Sequence, residues 1–266
     1  MANAQLLIID PQNDFCDIAG AALPVPGARG DMDRLAELVE LSGRAFDAIH
    51  VTLDSHQPLD IAHPGWWCDA DGLAPAPFTV ISEADVREGL WRARDASRQS
   101  VSLAYVEQLA LRGRYQLVVW PEHCLIGSWG HAVYAPLHEA LSAWSRGSLR
   151  PVNYVMKGMN PGTEHYSAIR AEVPDDADAA TLGNAPLIAR LKEADVVYVA
   201  GEALSHCVAS TVRDLIDAFG PAHCHKLVLL TECMSPVPGF QTQAETFLKE
   251  ARAQGVRAMT MAEYWQ

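Results

Sequence analysis

Residues 195–219 read DVVYVAGEALSHCVASTVRDLIDAF, and this stretch decides the fold. Asp195–Ala200 is a short, β-branched apolar run of the kind that forms a strand buried on both faces. Gly201–His206 interrupts it. Val208, Val212, Leu215, Ile216 and Phe219 then recur at helical spacing, so a helix opens at about Cys207 and runs to Phe219. Strand, tight turn, amphipathic helix is half of a βαβ unit, and Lys226–Thr231 (KLVLLT) supplies the next strand. The same alternation extends outward. Gln5–Asp10, Ala48–Leu53, Gln116–Trp120 and Asn153–Met156 read as earlier strands, and Arg257–Met261 as a last one. Asp31–Ala45, Tyr134–Trp144, Pro186–Glu193 and Thr242–Gln254 read as helices between them. The pattern predicts an α/β, three-layer Rossmann-like fold: a central, mostly parallel six-stranded sheet with helices on both faces.

The chain has 266 residues, 49% of them hydrophobic, enough for a packed core in a single domain spanning 1–266. With 20 Lys+Arg against 33 Asp+Glu the formal charge is −13, which disfavours nucleic acid and anionic membranes as partners. MANAQLLIID lacks the features of a signal peptide, and no stretch approaches the roughly 20 apolar residues of a membrane helix, so a cytoplasmic protein is expected. The six cysteines include no C-x-x-C pair and are expected to be free thiols.

The rhythm breaks between Pro64 and Gly113, where Trp66, Trp67, Trp91, a Pro-rich APAPF run and a helical pattern over Ser100–Leu111 replace core strands. This reads as an ordered insertion of about residues 64–113 near the active site: a lid, a specificity element, an oligomer contact or an extra packing layer. No G-x-G-x-x-G follows the first strand and no phosphate-binding G-x-x-x-x-G-K-[ST] occurs, so no organic cofactor is expected.

Ligands of doubly wound sheets sit beyond the carboxyl ends of the strands. Those ends carry Asp10, then Asp54 with His56, then His123, then Lys157, then Cys207. A thiol at a helix start is favoured as thiolate by the helix dipole, and a nearby lysine would lower its pKa further. Position alone does not separate a nucleophile from a buried inert sulphur. Asp54-x-His56 can point two ligands the same way, and His123 adds a third; one carboxylate with imidazoles suits Zn²⁺, Fe²⁺ or Mn²⁺. A plain hydrogen-bonding role for the pair is the alternative. His63 is a further candidate.

Together LIIDPQNDF, TLDSH, VVWPEHCLIG, MKGMNPGTEHYSA and GEALSHCVAST resemble, in order, the nicotinamidase/pyrazinamidase branch of the isochorismatase-like cysteine hydrolases. The resemblance implies a catalytic triad of Asp10, Lys157 and Cys207. It implies a cis peptide between Glu202 and Ala203, and an oxyanion hole from the backbone N–H groups of Ala203 and Cys207. It implies one divalent metal, zinc by preference, on Asp54, His56 and His123, with His63 in contact directly or through water. Phe15, Trp120 and Tyr166 match the family's aromatic substrate positions. The implied reaction converts a small aromatic carboxamide to acid and ammonia through a cysteine thioester, with nicotinamide to nicotinate, a step of NAD salvage, the first choice. Another amide, ureido or carbamoyl substrate is the second enzyme reading; an inactive scaffold kept as a metal- or ligand-binding module is the third. Relatives commonly form homo-oligomers. Two departures bear on substrate choice: Asp54 and His123 are further apart than in nicotinamidases, and Ser205-His206 stand where an acidic and an aromatic residue are common.

Overall fold

The computed structural model describes residues 3–266. Six strands, β1 (Ala4–Ile9), β2 (Ala48–Asp54), β3 (Asn153–Lys157), β4 (Val196–Gly201), β5 (Leu227–Leu230) and β6 (Arg257–Met259), form one all-parallel sheet in the order β6-β5-β4-β1-β2-β3. The chain moves outward from β1 through β2 to β3, then returns to the other side of β1 and moves outward again. The direction of winding therefore reverses between β1 and β4, and the crevice beyond their carboxyl ends is where such a sheet holds ligands.

The alternation of side chains along β1 divides the core. Leu6 and Ile8 point to one face, where Met32, Leu35, Leu38, Leu137, Leu141 and Trp144 pack on them from helices α1 (Ala28–Ser42) and α3 (Ala135–Ser148). Leu7 and Ile9 point to the other face. There Leu187, Leu191, Val212, Leu215 and Phe247 come from α4 (Ala185–Lys192), α5 (Ala209–Phe219) and α6 (Gln241–Ala253). Every residue of β1 from Gln5 onward is buried, as a central parallel strand requires.

One expected strand is displaced. Gln116–Trp120 does not join the sheet: only Leu117–Val118 is extended, and it pairs antiparallel with Val80–Ile81. Its neighbouring backbone groups go to Thr79, Phe78 and Ala62 instead of to a sheet strand, with Val119 N donating to Thr79 O at 2.8 Å and Trp120 N to Ala62 O at 2.7 Å. A short buried apolar run shows only that it is buried, not which layer buries it. The segment from 64 to 113 is ordered. Trp67–Cys68 pairs with Arg92–Ala93, and helix α2 (Gln99–Arg112) presents Tyr105, Val106 and Leu109 to the core. Trp66 Nε1 donates to Ser102 Oγ at 2.9 Å and Trp67 Nε1 to Ile61 O at 2.7 Å, so both buried indoles have their polar edge satisfied. Among the described residues no helix is long and apolar enough to cross a membrane.

Candidate active site

The sheet register builds the site. Asp54 lies directly opposite Lys157 at the ends of β2 and β3, and Ile9 opposite Gly201 at the ends of β1 and β4. Asp10 is therefore one residue beyond β1, facing the turn that leads to Cys207. At that turn the backbones touch. A side chain on Gly201 (φ +119°) would meet Ile9 O at 2.0 Å, so only glycine fits.

Lys157 Nζ lies 2.9 Å from Asp10 Oδ2, 2.8 Å from Asp54 Oδ1, 2.9 Å from the His165 carbonyl and 3.6 Å from Cys207 Sγ. One buried ammonium thus gathers the nucleophile candidate, the base candidate and a second carboxylate. Asp10 is wholly buried and in the left-handed region (φ 45°). Its Oδ1 accepts from Thr52 Oγ1 at 2.5 Å while its N–H donates to the same hydroxyl oxygen at 3.0 Å. The carboxylate is clamped to one orientation.

Burial opposes the charge on Lys157, but Asp10 and Asp54 outweigh it and hold the ammonium well above its ordinary pKa. Burial, reinforced by Asp54, raises Asp10 despite the lysine and Thr52. Cys207 corrects an expectation. Burial pushes its thiol well above the ordinary value, and Asp10 and Asp54 push the same way against Lys157. Cys207 lies in a π-helical turn, Leu204–Val208, with two carboxylate groups within 4.8 Å of its sulphur, and these outweigh any dipole effect. A cysteine sulphur, a carboxyl group and an ammonium in contact form an arrangement in which a carboxylate can take the proton as a sulphur attacks.

On the far side of Asp54 the histidines converge. His56 Nε2 is 3.1 Å and His123 Nε2 3.5 Å from Asp54 Oδ2. Two ligands about 2.1 Å from a tetrahedral ion stand roughly 3.4 Å apart, so these separations fit a metal. Both rings are also fixed from behind. His56 Nδ1 meets Asp60 Oδ2 at 3.0 Å and His123 Nδ1 meets Pro121 O at 2.9 Å, leaving each Nε2 lone pair inward. His56 Nε2 is buried without an aligned hydrogen bond. Burial would depress the His56 pKa, yet Asp54 and Asp60 hold it well above normal, so this spot calls for positive charge. The residues fit a divalent ion. His63 joins the group with His56 and His123, its Nε2 3.4 Å from His123 Nδ1.

Phe15 packs edge-on against His123 at 5.5 Å, and Trp120 Nε1 donates to Tyr166 Oη at 3.0 Å. His206 sits among Trp120, Tyr166, Tyr115 and Phe240, with ring centroids 4.5–5.5 Å away. Burial lowers its pKa to about 3, so it is a neutral ring. The Glu202–Ala203 peptide is cis, and both Ala203 and Cys207 are buried on the turn. Glu202 anchors it, its N–H donating to Ile9 O at 2.8 Å and its Oε2 accepting from Ser235 N at 3.2 Å.

Several residues of the site were not singled out by sequence. Gln12 clamps the Asp54 backbone on both sides, accepting its N–H at 2.7 Å and donating to its carbonyl at 2.8 Å. Thr52 and Asp60 are the partners of Asp10 and His56. Glu164 lies with Asp54 and His56, its Oε2 unpartnered, and burial raises its pKa to about 7. Glu164 stands inside the quoted MKGMNPGTEHYSA run, and Asp60 in QPLDIAHP, residues 57–64, just after TLDSH; an acid beside a candidate ligand is the only signal they carry.

No protein-family model matches the chain. The curated nicotinamidase of Escherichia coli is 28% identical over 265 residues, covering 97% of this chain and 95% of the relative. The solved yeast nicotinamidase superposes with a TM-score of 0.66 at 19% identity, covering 96% of this chain and 99% of that one. The Pyrococcus horikoshii pyrazinamidase, solved in complex with zinc, gives a TM-score of 0.57 at 19% identity over 97% and 99% of the two chains. In its parallel sheet, its strand-end carboxylates, lysine and cysteine, and over nearly its whole length, the chain is similar to these nicotinamidases.

Proposed function

We propose that this protein is a cysteine amidohydrolase that converts nicotinamide to nicotinate and ammonia. The observation that carries the reading is Lys157, whose ammonium reaches Asp10, Asp54 and the Cys207 sulphur at once. Cys207 Sγ attacks the carboxamide carbon as Asp10 takes the thiol proton. Lys157 compensates the charge passing between them. The developing oxyanion meets the backbone N–H groups of Ala203 and Cys207. Asp10 returns the proton to the departing nitrogen, ammonia leaves, and a thioester remains. Asp10 then draws a proton from water, which hydrolyses the thioester and frees the thiol. Asp54, His56 and His123, with His63 beside them, hold a divalent ion, zinc by first choice. When bound, that ion supplies a Lewis-acid anchor for a ring nitrogen. Phe15, Trp120 and Tyr166 confine the ring. The segment 64–113 acts as an insertion bordering this pocket, through Phe78, which stacks edge-on to Trp120 at 5.9 Å. The open sheet edge at β3, where Tyr154 and Met156 are exposed, offers a surface for self-association.

The test is ammonia release from nicotinamide by purified protein, beside Cys207→Ala. Turnover by wild type and none by the variant is expected. Wild-type release of ammonia from ureido or other amide substrates with none from nicotinamide would overturn the substrate; normal turnover by Cys207→Ala would overturn the nucleophile.

A further inference from the structure

A second cavity, of about 260 Å³, is lined by Leu109, Arg112, Arg114, Tyr115, Arg170 and Glu172. None of these residues takes part in the proposed hydrolysis. Three guanidiniums around one hollow is a local reversal of sign in a chain of net charge −13. Their donors are largely unused. A guanidinium has five N–H groups. Arg114 gives two to Asp214 Oδ1, at 3.3 and 3.2 Å; Arg170 gives one to the same oxygen at 3.0 Å and pairs at 3.7 Å with Asp217 Oδ2. Arg112 forms no ion pair among the described residues. Glu172, which lines the same cavity, is an acceptor. Glu172 is 95% buried, its Oε2 is 3.9 Å from Arg114 Nη1, and its Oε1 has no hydrogen-bond partner.

These groups select a ligand by what each lacks. Free guanidinium N–H groups want anionic oxygens, for which a phosphate is the natural match. A buried, unpartnered carboxyl oxygen wants a donor. A bare anion would leave Glu172 Oε1 unpaired, and a neutral polyol would leave the arginines unpaired. The cavity lies near the lower end of ligand-pocket volumes, about 300 Å³, which excludes a dinucleotide. A small molecule carrying both a phosphate and hydroxyl groups satisfies both sides.

We propose that this cavity is a second binding site, for a small sugar phosphate, with the phosphate on Arg112, Arg114 and Arg170 and a hydroxyl on Glu172. Its back wall is shared with the active site. Tyr115 lines the cavity and stacks on His206, the neighbour of Cys207, at 5.5 Å, and meets Tyr166 at 4.9 Å.

Calorimetric titration of the whole protein with ribose 5-phosphate, inorganic phosphate and ribose separately tests this, and does not depend on any amidase activity. Ribose 5-phosphate should bind at least tenfold more tightly than inorganic phosphate, and ribose should not bind. Arg112→Ala, an exposed position that leaves folding intact, should weaken ribose 5-phosphate about tenfold. Arg112→Glu should abolish it. Glu172→Ala should erase the preference over inorganic phosphate. Absence of ribose 5-phosphate binding, binding equal to that of inorganic phosphate, or affinity unchanged in both Arg112 variants would each overturn the proposal.

Discussion

Thr52→Val isolates the clamp on Asp10. The two side chains are nearly isosteric, so the fully buried site keeps its shape and loses only the hydroxyl. That hydroxyl donates to Asp10 Oδ1 at 2.5 Å and so favours the ionised carboxylate. A hydrogen bond to a charged group contributes about 1.5–3 kcal/mol. At about 1.4 kcal/mol per pKa unit, its loss raises the Asp10 pKa by about one to two units. In the proposed mechanism Asp10 must be ionised to receive the thiol proton. The acid limb of kcat/KM for nicotinamide hydrolysis should therefore move to higher pH by about one to two units, while the alkaline limb stays in place. The assay is initial-rate ammonia release across the pH range, for wild type, Thr52→Val and Thr52→Ser. Serine keeps the hydroxyl and should restore the wild-type limb, an outcome that simple loosening of the fold would not produce. Superimposable acid limbs for Thr52→Val and wild type would refute the assignment of Asp10 as the base.

Because burial raises the Cys207 pKa, the resting thiol should react slowly with iodoacetamide at neutral pH and show no thiolate absorbance there; a strong thiolate band at neutral pH would contradict the neutral-thiol site. Purified protein should hold one equivalent of divalent metal by elemental analysis, and His56→Ala or His123→Ala should lose it; full retention in both variants would displace the metal site from these histidines. Gly130→Ala should cost about 2 kcal/mol or more in urea unfolding, because a Cβ there would come within 2.0 Å of Asp14 Oδ2, the acceptor of the Cys124 N–H; a change near zero would show that Asp14 moves freely. His50 is buried and neutral, accepting from Asn153 Nδ2 at 2.9 Å and donating to Gln5 Oε1 at 3.0 Å, and burial lowers its pKa to about 4. The unfolded chain binds a proton there below about pH 6.5, so stability should fall as pH drops from there toward 4. His50→Gln should flatten that slope, and an unchanged slope would remove His50 as its source.

Legibility followed range along the chain. Helix and strand periodicity is local, so the alternation that makes a doubly wound sheet could be read from spacing. The position of Asp10, Asp54, Lys157 and Cys207 at strand ends followed from it. Gln116–Trp120 misled because burial by Val80–Ile81 and α2 leaves the same apolar signature as burial in the sheet. The partners Thr52, Gln12 and Asp60 were illegible for a different reason. Thr52 faces Asp10 only because β1 pairs with β2 in one register, and a threonine in a strand carries no mark of that. The Cys207 pKa went the other way from expectation because a helix start is visible in sequence, whereas complete desolvation beside two carboxylates is a property of the assembled site.

Asp54 divides its two oxygens, one toward Lys157 and the other toward His56 and His123. This sharing limits how the protein can diverge. A lineage that gave up the proposed metal by changing Asp54 first would strand a buried ammonium with half its counter-charge and disturb the proposed nucleophile in the same step. Changing the histidines first would leave Asp54 Oδ2 facing an empty hollow but keep Lys157 paired. The tolerated route away from metal dependence therefore starts at His56 or His123, and sequences caught midway should keep the aspartate after the imidazoles have gone.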